Sequence, residues 1–148
     1  MTAEELLERY ASGERDFTGV ILNGWDFTGA DLRGINLSKA SLGEAYLEGV
    51  QLDGAILRNA HLGQAYLGKS SLRECDLTGA NLGYCSLAGA DLTKAKLTGV
   101  FLCSAEFNYA NMTEADLSAA KTDKGTCFYK VIFSNTVMPD KSLCSDTA

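Results

Sequence analysis

Cysteine, histidine and carboxylate residues are the groups in this sequence whose types could do chemistry. The five cysteines are Cys75, Cys85, Cys103, Cys127 and Cys144. None of them belongs to a CxxC pair, so their spacing does not favour zinc. His61 is the single histidine, which excludes a two-histidine metal site and an HExxH motif. Without a P-loop, a GxGxxG segment or a nucleophile-elbow serine, we expect no catalytic, cofactor-binding or metal-binding residue.

Composition and charge narrow the class of protein further. The chain has 148 residues, 46% of them apolar, and a net charge of −6 from 13 basic and 19 acidic residues. This length favours one domain. The acidic balance disfavours direct binding of nucleic acid or of an anionic membrane. No apolar run reaches 18 residues and the N-terminus is acidic, so we expect a cytoplasmic protein without a membrane segment.

The elements that must position these residues are short repeats with a period of five. Taking Phe17 as the first central position, every fifth residue to Leu117 is Leu, Phe or Met, and the residue two places earlier is mostly small. None of the 19 charged residues between Asp16 and Ala120 falls in either column. Both columns are therefore expected to point inward.

A period of five fits neither a helix nor a plain strand. Five residues advance an α-helix by about 500°, so the central residues would share no face. Two inward positions that lie two residues apart indicate a short extended side, and the remaining two residues then turn the chain. Glycines cluster one and two places after the central residue, where corners are expected. The pattern predicts a β-solenoid.

The recurring A(D/N)LXX pattern, as in residues 30–34 and 90–94, resembles the pentapeptide repeat family of the cyanobacterial type. The resemblance covers about three quarters of the chain. It implies an all-β, right-handed quadrilateral β-helix with four pentapeptides in each coil, and about six coils. Residues 20 apart are then expected to stack.

The two ends of the repeat region differ from its middle. Residues 1–14 are expected to form a capping helix with Thr2 as N-cap, because Glu5 follows at the third helical position, and Trp25 is expected to pack beneath it. Residues 15–138 form the β-helix, with a register slip of one residue near 123–126. Residues 139–148 are expected to form a C-terminal tail or cap.

The repeat frame also assigns an environment to the reactive groups. Cys75 and Cys85 occupy inward small positions, where cysteine packs as a small hydrophobe. Cys127 and Cys144 lie near the C-terminus, and free thiols or a disulfide remain open between them. His61 is expected on the surface, stacked between Ser41 and Asn81. The carboxylates just before the central residues are expected to accept hydrogen bonds from nearby backbone.

Three functions remain in competition. We favour a non-enzymatic scaffold that binds an unknown protein partner, as a monomer or a weak homodimer. The family resemblance adds an alternative, a DNA mimic that binds and inhibits a type II topoisomerase (gyrase). The third is an enzyme, for which only His61 and scattered acids are available.

A candidate interaction patch follows from reading the outward positions 20 apart. One side of the square carries a stripe of small residues, and aromatic residues lie beside it. Aromatic residues next to approachable backbone are typical of interface hot spots, although stacked tyrosines also stabilise a β surface by themselves. The patch consists of Gly43, Gly63, Gly83, Tyr46, Tyr66, Tyr84 and Phe101.

Overall fold

The repeats wind into a continuous coil. The computed structural model describes residues 1–140 and the backbone of residues 143 and 144. Parallel bridges join residues 20 apart, from Asp16 with Asn36 through to Phe101 with Lys121. Four pentapeptides therefore complete one coil, and the fold is the predicted right-handed quadrilateral β-helix of about six coils.

The two inward columns form the core along the whole coil. Leu77 is 1% exposed, and Cys75, two places earlier, is fully buried. The Leu77 N–H donates to the carbonyl of Lys96 in the next coil at 2.8 Å, and the Asp76 N–H donates to that of Ala55 in the preceding coil at 3.0 Å. Each corner is closed by a turn, as where the Ala80 N–H donates to the Leu77 carbonyl at 2.9 Å.

The coil presents four outward sides, which we number in chain order. The first side begins with residues 16–20, the second with 21–25, the third with 26–30 and the fourth with 31–35, and each recurs every 20 residues. The residue two places after each central residue takes a positive φ, as at Gly29 (71°) and Tyr84 (59°). These corner side chains point outward between two sides.

The helix α1, Ala3–Ala11, packs on the first coil. The Thr2 side chain accepts a hydrogen bond from the Glu5 N–H at 3.1 Å, which satisfies one of the free donors of the first turn. The expectation for Trp25 is wrong, because this side chain is 40% exposed. The helix lies instead over the opposite corner, where the Tyr10 hydroxyl donates to the Arg33 carbonyl at 2.7 Å.

The last coil is longer by one residue. The bridge spacing changes from 20 between Phe101 and Lys121 to 21 between Glu106 and Cys127. An Asp123 side-chain oxygen accepts from the Gly125 N–H at 3.0 Å within this bulge. After it, strand β1, Thr136–Val137, pairs with strand β2, Leu143–Cys144, in antiparallel fashion.

Candidate interaction surface

The four sides bury the same types of residue but carry different numbers of charged residues on their outer faces. Between residues 16 and 120, Glu44 is the single charged residue of the second side. Eight charged residues lie on the fourth side: Asp31, Arg33, Asp53, Arg73, Glu74, Asp91, Lys94 and Glu114. Six lie on the first side: Asp16, Lys39, Arg58, Asp76, Lys96 and Asp116. Four lie on the third: Asp26, Glu48, Lys69 and Glu106. The second side is therefore almost neutral.

Three stacked glycines run along the second side, one in each of three successive coils. Gly43, Gly63 and Gly83 follow the central leucines directly, and none of them has the positive φ that requires glycine. A Cβ added to Gly63 would meet nothing closer than the Gly83 carbonyl oxygen at 3.8 Å, an ordinary contact. Backbone geometry does not account for glycine in this column, and its effect is to leave the wall without side chains.

The corner residues that follow these glycines carry side chains in the left-handed region. Glu44, Gln64 and Tyr84 have φ values of 58°, 62° and 59°. This conformation is costly for residues other than glycine. Elsewhere the order is often reversed, as in Thr28–Gly29 on the third side, where glycine takes the positive φ of 71°. On the second side, backbone without side chains at Gly43, Gly63 and Gly83, here called the glycine floor, thus lies next to a corner that carries side chains.

The floor and corner enclose a depression of about 340 Å³. It is lined by Glu44, Gly63, Gln64, Asn81, Gly83, Tyr84 and Phe101. A space of this size is at the lower end of the range of small-molecule sites. The depression contains four of the seven predicted patch residues, namely Gly63, Gly83, Tyr84 and Phe101.

The glycine column is open only in its middle part. The Phe101 ring lies across Gly83, where a Cβ would come within 3.1 Å of the ring, and Gly83 is buried. At the other end, an Asn23 side-chain oxygen accepts from the Gly43 N–H at 2.8 Å. The expectation of approachable backbone along this stripe is therefore wrong at Gly83, because the Phe101 ring covers it.

The remaining aromatic residues of the patch lie around the corner on the third side. The rings of Tyr46 and Tyr66 stack with their centroids 5.0 Å apart and an angle of 8° between their planes. About half of each side chain stays exposed, 48% and 45%, and Tyr84 between the two sides is 66% exposed. The structure thus places the tyrosines as a band that continues from the depression onto the third side.

The predicted patch did not include Glu44, Gln64 and Asn81, which also line the depression. For Glu44 and Gln64, the signal that could have found them is the order of residues at the corner. Glycine precedes a side-chain-bearing residue at the left-handed position in three successive repeats of the second side. Taken together, the corner column and the glycine column predict both the backbone floor of the depression and the side chains that border it.

The buried cysteines are part of the core. The thiols of Cys75 and Cys85 donate to the carbonyls of Leu52 and Leu62, each at 2.7 Å. Burial raises the pKa of both thiols to about 12, so neither is a thiolate at neutral pH. These two residues pack as predicted and offer no reactive sulfur.

The other thiols do not form a site among the described residues. Cys127 is a free thiol, and it donates to a side-chain oxygen of Asn108 at 2.9 Å. The disulfide alternative is therefore not formed in this structure, and the side chain of Cys144 lies outside the described residues. His61 is exposed, and its backbone forms parallel β-bridges with Ser41 and Asn81. It therefore stacks between these two residues, as expected. Within residues 1–140, no three His, Cys, Asp or Glu side chains are placed to hold a metal ion.

The aspartates before the central residues accept hydrogen bonds from the backbone, as predicted. In each case the donor is the N–H two residues later, as for Asp26, which accepts from Thr28 at 2.9 Å. The Thr28 hydroxyl, followed by this backbone bond, lowers the pKa of Asp26. The six aspartates with this bond are Asp16, Asp26, Asp31, Asp76, Asp91 and Asp116. These hydrogen bonds stabilise the outer face of the coil.

In the part of the chain that the structure describes, no helix has the length and apolar character needed to cross a membrane.

Comparison with known proteins identifies the repeat. The family model for pentapeptide repeats matches residues 21–59, 55–87 and 85–121, with eight copies. No curated protein matches the chain significantly in sequence. Together the matched segments extend over more than half of the chain.

Solved structures have the same architecture. The crystal structure of Rfr23, a pentapeptide repeat protein from the cyanobacterium Cyanothece 51142, is 29% identical, with a TM-score of 0.60 over 76% of this chain and 87% of that one. The protein alr5209 from Nostoc Pcc 7120, another pentapeptide repeat protein, is 30% identical, with a TM-score of 0.51 over 86% and 84%. QnrB1, a plasmid-mediated fluoroquinolone resistance protein, is 18% identical, with a TM-score of 0.37 over 84% and 78%. That last similarity is too low to bear on function.

Proposed function

Since the chain belongs to the pentapeptide repeat family, we propose that it is a non-enzymatic scaffold that binds a protein partner through the second side and the adjoining corner. The surface concerned, here called the aromatic corner, consists of Tyr46, Tyr66, Tyr84, Phe101 and the glycine floor of the depression. Its role in binding rests on the local sequence and geometry of this chain.

The observation that carries the proposal is the placement of glycine where the backbone does not need it. A side chain at Gly63 would fit without a clash. Glycine nevertheless occupies this position, next to a corner that carries side chains. Tyr84 stands at this corner, 66% exposed. An exposed tyrosine next to a recess, on the side that carries a single charged residue, has the composition of an interface centre.

The charge pattern does not favour the DNA-mimic alternative. A mimic needs a regular ladder of carboxylates. The column of the first side reads Asp16, Asn36, Ile56, Asp76, Lys96 and Asp116. Arg58 lies 3.4 Å from the carboxylate of Asp76, so even this column is partly neutralised.

A triple variant, Tyr46→Ala, Tyr66→Ala and Tyr84→Ala, tests the proposal. All three side chains point outward and none belongs to the core, so we expect the variant to stay folded, with the circular dichroism spectrum of the parent chain. The loss of the Tyr46–Tyr66 stack should lower its melting temperature only slightly. In affinity capture from the native host, the variant should lose a partner that the parent chain retains. The control is Tyr109→Ala with Tyr129→Ala, because these two exposed tyrosines lie outside the patch.

The outcome that contradicts the proposal is a folded triple variant that captures the same partner at the same yield. Loss of the partner by the control variant as well would also contradict it, because binding would then not depend on the aromatic corner.

A further inference from the structure

Two carboxylates border the stacked tyrosines and form no salt bridge within the part of the chain that the structure describes. Glu44 precedes Tyr46 by two residues at the corner, and Glu48 follows it by two on the third side. Both are exposed. Neither forms a salt bridge with any described residue; the five salt bridges lie on the first side, on the fourth side and beside the helix.

The positions of these carboxylates relate them to the aromatic corner. Glu44 lines the depression on the second side. A Glu48 carboxylate oxygen lies 3.3 Å from where a Cβ of Gly68 would stand, so this side chain runs along the wall beside Tyr66. Gly68, like Gly63, lacks a positive φ. Carboxylates therefore flank the tyrosine stack on both sides of the corner.

Lys69 is the cation closest in register to Glu48, one coil farther on. Its side chain extends toward Gly89, with Cγ 3.6 Å from where a Cβ of that glycine would stand. No salt bridge joins Lys69 to either carboxylate. Within residues 1–140, neither carboxylate thus has a cation within salt-bridge distance.

We propose that the aromatic corner takes an extended, arginine-bearing segment of the partner protein; this inference rests on the proposed function. A guanidinium group stacks on an aromatic face and forms forked hydrogen bonds with a carboxylate at its edge. Tyr84 supplies an exposed ring, and Tyr46 and Tyr66 supply the exposed part of their stack. Glu44 and Glu48 supply the carboxylates. The backbone at Gly63, which carries no side chain, leaves room beside Tyr84 for the backbone of the segment. The net charge of −6 favours approach of such a segment.

The probe is a blocked pentapeptide of alternating arginine and alanine, titrated into the ¹⁵N-labelled full-length chain and followed by amide chemical shifts. We expect saturable shifts that centre on the amides of Gly63, Gln64 and Gly83, with a dissociation constant of about 1 mM. The same peptide with citrulline in place of arginine has the same shape without the charge, and it should cause no saturable shift.

A pair of charge-matched variants separates the local site from overall charge. Glu44→Gln with Glu48→Gln should weaken peptide binding about fivefold, because two exposed ion pairs are lost. Glu74→Gln with Glu114→Gln changes the net charge by the same amount on the fourth side, and it should leave binding within about twofold. Equal weakening by both double variants, or shifts centred on the fourth side, would overturn the proposal.

A failure of this inference is distinguishable from a failure of the proposed function. If the double glutamine variant at 44 and 48 retains the partner in affinity capture and the tyrosine triple variant loses it, the surface binds a protein but does not recognise arginine. That result overturns the arginine proposal and leaves the scaffold proposal standing.

Discussion

The second and fourth sides of the coil share one interior and differ in every outward column. Leu82 on the second side and Leu72 on the fourth are buried to the same degree, 0% and 1% exposed. Outside, the second side offers glycine, amide and aromatic groups around a single carboxylate. The fourth carries ion pairs, such as Arg33 with Asp31 at 2.7 Å and Arg73 with Asp91 at 3.9 Å.

This difference shows which residues a β-helix needs and which it leaves free. The inward columns and the backbone ladder hold all four sides alike, so stability does not require an outward aromatic band or an outward glycine floor. The fourth side uses its outward positions for pairing within the chain. The second side leaves Glu44 and Tyr84 available, which is the arrangement expected of a binding surface.

The largest expected effect tests the shared interior. Leu82→Ala and Leu72→Ala should each lower the free energy of unfolding by about 2 to 5 kcal/mol, because each leaves a cavity in a closely packed stack. The two losses should agree within about 1 kcal/mol. Chemical denaturation followed by circular dichroism measures both. A variant that unfolds like the parent chain would show that its side does not share the common core.

A smaller effect separates two glycines of the second side. Gly63→Ala should be neutral or stabilise by up to about 1 kcal/mol, because the added methyl group fits and the unfolded chain loses freedom. Gly83→Ala should destabilise by about 1 kcal/mol, because its methyl group meets the Phe101 ring and the Asn81 side-chain oxygen, each at 3.1 Å. Melting temperatures of the two variants test the difference in sign. Equal shifts would contradict the placement of Phe101 over Gly83.

The smallest expected effect is the loss of folding stability at acidic pH. The pKa of Asp31 on the fourth side lies below its ordinary value because the Arg33 side chain and backbone N–H donate to the carboxylate. The resulting stabilisation is complete above the unfolded pKa of about 4 and is lost as pH falls through the lower folded pKa. Asn81 makes the equivalent bond on the second side, with Gly83 as donor, and does not titrate.

Exchanging these residue types tests the acid effect. Asp31→Asn should reduce the loss of stability between about pH 4 and pH 2, and Asn81→Asp should increase it. Denaturation curves across this range measure both. No change in pH dependence for either variant would contradict the account of these hydrogen bonds.

The fold was predictable because its information is local and repeated. One apolar and one small residue in every five define the interior, and the register slip is visible as a single shift of that frame near Asp123. The placement of single side chains near the helix and along the glycine column was less predictable. Trp25 occupies an inward column, but the helix covers the opposite corner. Phe101 folds over Gly83, which a column-by-column reading of the sequence does not show.

The candidate surface was predictable in part. Stacking of Tyr46 on Tyr66 follows from their separation of 20 residues. The contribution of Glu44 depends on its corner conformation, which becomes clear only when the left-handed position is assigned within the repeat. The identity of the partner depends on complementarity with another molecule, about which a repeat pattern carries no information.

Site-specific photo-crosslinking at two matched positions tests the central claim most directly. Gln64 and Glu74 are both exposed and occupy the same corner position in one coil, with φ values of 62° and 57°. A photoreactive benzoylphenylalanine replaces one or the other in the native host. The account predicts a partner adduct from position 64 that disappears in the Tyr46/Tyr66/Tyr84 alanine background, and no such adduct from position 74. An adduct from position 74 alone, or one from position 64 that persists without the three tyrosines, would contradict it.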